Sequence, residues 1–149
     1  MSDGNIVAKL GWADSMEIEQ ATLAQKQGRS AEVKAFAKMM VTDHTKMMKE
    51  GKDMAAKAGI TPAPPANDPD MAAAEATMAA LRAANGTAFD SLYIQTAVKD
   101  HTAVLAMITA AMGMAQHSEL KAHLEKGRPI VQHHLDEAWA LQQKMAGAK

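Results

Sequence analysis

Four residues carry the chemistry this sequence can offer: Glu17, His44, His101 and His134. Neutral imidazole and carboxylate are the usual protein ligands for Zn²⁺, iron and Cu²⁺, so three histidines and a glutamate make a complete tetrahedral donor set if the fold gathers them. If Glu17 stands back, the same histidines leave one coordination position open. Two of them sit in a repeated tripeptide, Asp43-His44-Thr45 and Asp100-His101-Thr102. Met39, Met40, Met47 and Met48 bracket His44, and thioether with imidazole suits Cu(I), although Met at helical spacing also serves as a flexible core filler. Cysteine is absent, which excludes thiolate metal sites, disulfides and a cysteine nucleophile. The Glu-x-x-His signature of di-iron bundles is also missing; His134-Leu135-Asp136-Glu137 runs in the reverse order. A standard ferroxidase is therefore not expected. With no Gly-rich phosphate loop and no serine elbow, neither is an organic cofactor.

Can the fold gather them? The 149 residues include 13 Met and only 3% aromatics, a composition that favours helix and argues against a sandwich or barrel. Four long segments show helical periodicity, at about 6–27, 31–58, 88–115 and 118–144. Ser30 precedes the second as an N-cap and Gly59 follows it as a left-handed stop. Ser118 with Glu119 repeats the cap-like start on the fourth segment, where Pro129 predicts a kink or loosening near Gly127-Arg128. Projected at about 100° per residue, each segment carries one strongly polar residue within its apolar stripe. Glu17 lies with Leu10, Ala13, Ala21 and Ala24; His44 with Val33, Ala37, Met40 and Met48; His101 with Ile94, Ala97, Leu105 and Ile108; His134 with Leu120, Ile130, Ala138 and Leu141.

The two hairpins are joined by 59–87, which contains Thr61-Pro-Ala-Pro-Pro and then a shorter helical stretch, about 70–84. This join is far longer than antiparallel neighbours need. It predicts a crossover that returns along the bundle, as in ferritin-like topology. Under the resulting up-down-down-up order, the four polar residues fall within about 6 Å of one level. The expected architecture is thus one all-α domain over 1–149, a ferritin-like four-helix bundle with a long crossover and a mid-bundle layer of Glu17, His44, His101 and His134. Two readings of the layer stay open: one transition-metal ion (Zn, Cu or Fe), or a metal-free hydrogen-bonded layer that fixes helix register. Asp43 and Asp100 lie about 100° from their neighbouring histidines, placed to orient a histidine on an adjacent helix or to face solvent. His117, His123 and His133 are weaker candidates, at a turn, roughly 16 Å along the helix from His134, and about 100° off its face.

Sixteen Lys and Arg against 17 Asp and Glu leave no basic stripe for nucleic acid. The longest nearly apolar run, Ala103 to Ala115, is far short of the roughly 20 residues that span a bilayer.

The runs Glu17-Ile18-Glu19-Gln20, Val33 to His44, Phe89-Asp90-Ser91-Leu92-Tyr93 with His101, and Leu120 to Leu124 followed by Arg128-Pro129 and His134-Leu135 resemble the bacterial family called domain of unknown function 4142. The resemblance covers nearly the whole chain. It implies a ferritin-like fold, and motif positions at Glu17, Asp43, His44, Phe89, Asp90, Tyr93, His101, Pro129 and His134. It also implies a periplasmic home, with a leader preceding this sequence; a chain complete as it stands would be cytoplasmic. The Met-rich stretch around His44 departs from the family pattern and keeps copper in view. Three functions follow as expectations: metal handling or stress protection by an exported bundle, a metal-free structural or interaction protein of the envelope (as a homo-oligomer or with an envelope partner), or a small metal-dependent oxidoreductase. Nothing in the residues requires an enzyme.

Overall fold

The computed structural model describes residues 1–148, and among them the chain forms five helices and no strand. They are α1 (Asp3–Gln27), α2 (Ala31–Ala58), α3 (Pro69–Ala83), α4 (Gly86–Met114) and α5 (Ser118–Gly147). Local chemistry sets their ends. Ser2 and Asn5 form a reciprocal capping box, so α1 begins at Asp3, ahead of the Ile6 start expected from periodicity. Ser30 accepts from the backbone N–H groups of Glu32 and Val33 and starts α2. Gly59, at φ 71°, ends it in the left-handed region that suits glycine. Asp68 caps α3, with Pro69 in its first turn.

The expected cap at Ser118 is not what the structure shows. Ser118 lies inside α5 and its hydroxyl donates to Glu119. The N–H groups of Gln116 and His117 are instead satisfied by the carboxylate of Asp3, at 3.0 Å and 2.9 Å. The cap position is His117, which makes no side-chain capping bond, and Asp3 pins the turn just ahead of the helix through charge-assisted hydrogen bonds. Pro129 lies within α5, which continues through it.

α1 pairs with α2 and α4 with α5 as antiparallel hairpins, and contacts of α2 with α5 and α1 with α4 close the bundle. The join between hairpins is the expected crossover. At its start the N–H of Ala63 donates to the carbonyl of Gly4, and Asn5 donates to the carbonyl of Ala63. At its end Gln27 donates to the carbonyl of Ala84. The chain has thus climbed the full length of α1, and α4 starts beside the α1–α2 turn. Asp90 bolts that junction: its buried carboxylate accepts from the N–H groups of Arg29 and Ser30 at 2.9 Å and 2.8 Å. Gly28 permits the approach, since a Cβ there would meet the Ala24 carbonyl at 2.5 Å and Asp90 at 3.2 Å. The fold is therefore ferritin-like, with α3 as the crossover helix.

Two apolar cores fill the bundle. One, near the α1–α2 turn, contains Phe36, Met40, Leu81, Phe89, Tyr93 and Ile94. The other, at the opposite end, contains Ile6, Ile108, Leu120, Leu124 and Val131. On each long helix one buried ionisable residue falls between them in sequence: Glu17, His44, His101 and His134.

Asp90→Ala should lower stability by about 1–3 kcal/mol, because two half-buried N–H groups lose their carboxylate acceptor at once. Urea unfolding measures this, and a loss below about 1 kcal/mol would show that the turn re-pairs without Asp90.

Candidate metal centre

His44, His101 and His134 converge from three helices, α2, α4 and α5. One ring nitrogen from each lies within 4.8 Å of the other two. Ring centroids are 5.0–5.5 Å apart, and all three side chains are buried. The Nε2 atoms of His44 and His101 are 3.4 Å apart. For ligands held at about 2.05 Å, a tetrahedral edge is about 3.3 Å. One edge is already at that spacing, and the other two lie within side-chain adjustment of it.

Hydrogen bonds on the opposite ring atoms decide which nitrogens are available. Nδ1 of His44 lies 2.8 Å from Asp14 Oδ1, and Nδ1 of His101 lies 2.8 Å from the Ala97 carbonyl. Nε2 of His134 lies 2.8 Å from Asp43 Oδ2. In the neutral rings each of these nitrogens donates its proton outward. Nε2 of His44, Nε2 of His101 and Nδ1 of His134 are left as acceptors facing inward. Among the described residues Nδ1 of His134 is buried with no hydrogen-bond partner. Burial holds His101 below the ordinary histidine pKa and brings His134 down to about 4, despite the opposing pull of Asp43. The ligand form of these two rings is thus the stable one at neutral pH. Nδ1 of His134 has no protein donor to satisfy it among the described residues, and a cation at the meeting point of the three rings would do so. The donor set fits a transition ion.

Glu17 is buried in the same layer but outside this group of three. Its Oε1 is 3.6 Å from Nδ1 of His101, the ring nitrogen turned to the backbone, and its Oε2 has no partner among the described residues. Burial, opposed by His44 and reinforced by Asp100 and Asp14, pushes its carboxyl up to about 8. At neutral pH it is a protonated acid. A cavity of about 30 Å³ lies against Glu17, His44, His101, Asp14, Met47 and His123. That exceeds the roughly 10–15 Å³ needed to seat one water.

The two aspartates of the repeated tripeptide part company here. Asp43 orients a histidine on an adjacent helix, His134, whereas Asp100 accepts from Gln20 at 3.4 Å and touches no histidine. Asp14 was not singled out in the sequence. Its signal was available, since it lies three residues before Glu17 and so shares a helix face with it. Of the methionines around His44, Met47 lines the small cavity and Met40 is buried in the core near the α1–α2 turn. Projection had favoured Met40 and Met48. His123 reaches the cavity from α5, His117 is held in the α4–α5 turn by Asp3, and His133 is exposed.

The profile of the family described as "Domain of unknown function (DUF4142)" matches residues 1–141. A DUF305 fragment from Deinococcus radiodurans superposes with a TM-score of 0.83 at 13% identity, covering 95% of both chains. A DUF305 protein from Streptomyces coelicolor gives a TM-score of 0.71 at 11% identity, covering 97% of this chain and 89% of that one. Both likenesses establish the fold alone. Among curated proteins none is significantly similar.

The carboxyl of Glu17 and the imidazole of His134 give the metal-free protein opposite pH dependences. A pKa of about 8 against an ordinary 4.5 means that Glu17 contributes stability that is complete below pH 4.5 and is lost as pH rises through 8. His134, at about 4 against 6.5, contributes stability that is present above 6.5 and lost as pH falls toward 4. In chelator, Glu17→Gln should therefore gain on the wild type between pH 5 and pH 8, by at most about 1.4 kcal/mol per pH unit. A gap between the two urea midpoints that stays constant with pH would refute the assignment.

Proposed function

We propose that this chain, which belongs to the DUF4142 family, binds one first-row transition ion at His44, His101 and His134 and serves in metal handling. The observation that carries this reading is the outward bonding of all three rings, which leaves three buried imidazole acceptors facing one another. Nitrogen ligands without thiolate suit Zn²⁺, Cu²⁺ and Fe²⁺, and the general order of affinities makes Cu²⁺ the tightest of them. Met47, at the cavity beside His44, is a soft neighbour for the reduced copper ion. A bound ion would act as a Lewis acid toward a water-sized ligand. Around it, Asp14 and Asp43 hold two rings in the ligating tautomer, and Glu17 keeps a proton in the same layer. The periplasm, implied by the family resemblance, is the compartment in which we place this role.

A metal-free register layer is the second reading, favoured by the position of the polar residues between the two apolar cores. Metal analysis and titration separate the two. The chain should bind about one equivalent of Zn²⁺ or Cu²⁺, with His101→Ala abolishing tight binding and Asp43→Ala weakening it about 10–100-fold. Excess Zn²⁺ should raise the melting temperature, since an ion at about 100 times its dissociation constant adds about 2.7 kcal/mol. Substoichiometric binding, or binding that His101→Ala leaves intact, would sink the metal reading. An equal loss of stability on His101→Ala with and without chelator would establish the register layer.

A further inference from the structure

On the other side of Glu17 lies a second, larger space that the metal reading does not use. A cleft of about 170 Å³ opens between α1, the crossover helix α3 and α4. Engineered cavities of about 150 Å³ accept a benzene-sized molecule. The walls are largely apolar, with Trp12, Met16, Val104 and Met107 among them, whereas Glu17, Gln20 and Asp100 supply polar groups. Gln20 is 2% exposed, and it lines this cleft but not the cavity at the histidines. Its amide nitrogen donates to Asp100, while its Oε1 is buried with no partner among the described residues. The Oε2 of Glu17 is unpartnered as well. An unsatisfied buried amide oxygen costs free energy in the folded chain, and only a donor can satisfy it. Asp100 beside it is also an acceptor, so this spot favours a ligand that brings several donors. Lys9 at the rim is engaged by Asp68 at 3.0 Å and Asp70 at 3.3 Å, and Lys99 is exposed.

We propose that this cleft binds a small primary amine with an apolar body, such as an arylalkylamine of up to about ten non-hydrogen atoms. The N–H groups of an ammonium match the carboxylate of Asp100 and the free amide oxygen of Gln20 beside it. The hydrocarbon part replaces water against Met16, Val104 and Met107, and the face of Trp12 favours a nearby cation. The site is distinct from the metal centre in its ligands: Glu17 borders both spaces, but no histidine lines the cleft.

The test uses 2-phenylethylamine with the full chain in chelator, read by calorimetry and by Trp12 fluorescence in a Trp139→Phe background. Saturable binding is expected, with a dissociation constant on the order of a millimolar or below. Gln20→Met keeps the shape and removes the acceptor, and it should weaken binding at least about tenfold. Ala74→Phe, which fills the cleft from α3, should abolish binding while leaving Zn²⁺ stoichiometry unchanged. Propylbenzene and 3-phenylpropionate, which have the same body without the ammonium, should bind at least about tenfold more weakly. Absence of saturable amine binding would overturn the proposal, as would undiminished binding in both variants or a carboxylate that binds as well as the amine. Repeating the titration with Zn²⁺ separates the two sites, because failure of either leaves the other readout unchanged.

Discussion

Three imidazoles and a carboxylic acid share the interior of this bundle, and burying them is the constraint to which the rest of the structure answers. Polar groups taken out of water without partners cost several kcal/mol, on the order of the whole stability of a small protein. The chain meets most of that cost with outward hydrogen bonds. Asp14 takes one ring, Asp43 another, and the backbone carbonyl of Ala97 the third. Each of those bonds also fixes a tautomer, so the means of burying the rings aims their lone pairs at one point. Glu17 meets the same cost differently, by holding its proton up to about pH 8. What the outward bonds cannot satisfy is Nδ1 of His134, and that residue of unmet polarity is the strongest argument for a cation.

Convergence of this kind needs the helices at fixed heights, and the crossover supplies that. Because α3 carries the chain back along α1, α2 and α4 start from the same end, and one distance along each helix reaches the histidines. The junctions at the two ends are built from carboxylates on backbone N–H groups: Asp90 on Arg29 and Ser30, Asp3 on Gln116 and His117. Both join segments remote in sequence, so they set the relative height of whole hairpins. A slip of one helical turn would move a histidine by about 5.4 Å, more than the spacing that now separates the ligating nitrogens. The carboxylate bolts and the histidine cluster therefore depend on each other.

How much of this was legible in the sequence follows from the range of each interaction. Helix periodicity is local and repeated, so the long helices and the stripes bearing Glu17, His44, His101 and His134 could be read directly. The crossover was legible as a length mismatch between 59 and 87. Depth counted along the helices then put the four residues in one layer. Terminal capping was less legible where a remote group took part. Ser118 has the residue type of a cap, but the cap position falls one residue earlier, at His117, where the turn is pinned by Asp3 from more than a hundred residues away. Asp14 was overlooked because projection ranked residues by the apolar stripe, and a half-buried aspartate at the edge of that stripe looks like surface. Which nitrogen of each ring points inward has no sequence signature at all. It depends on partners such as the Ala97 carbonyl, which every residue type provides equally.

The donor set also limits what chemistry the centre can support. Di-metal bundles use several bridging carboxylates, which hold two ions and balance their charge. Here the inward atoms are three imidazole nitrogens, and Asp14 and Asp43 are turned to the far side of their rings. The buried carboxyl in the layer, Glu17, carries its proton at neutral pH. Three nitrogens around one point could hold one ion, whose charge would be balanced at a distance through the rings. The adjoining cavity of about 30 Å³ restricts any further ligand to the size of water. Under the reading proposed above, a centre that would hold one ion through nitrogen beside so small a cavity suits the holding of metal more than the turnover of an organic substrate.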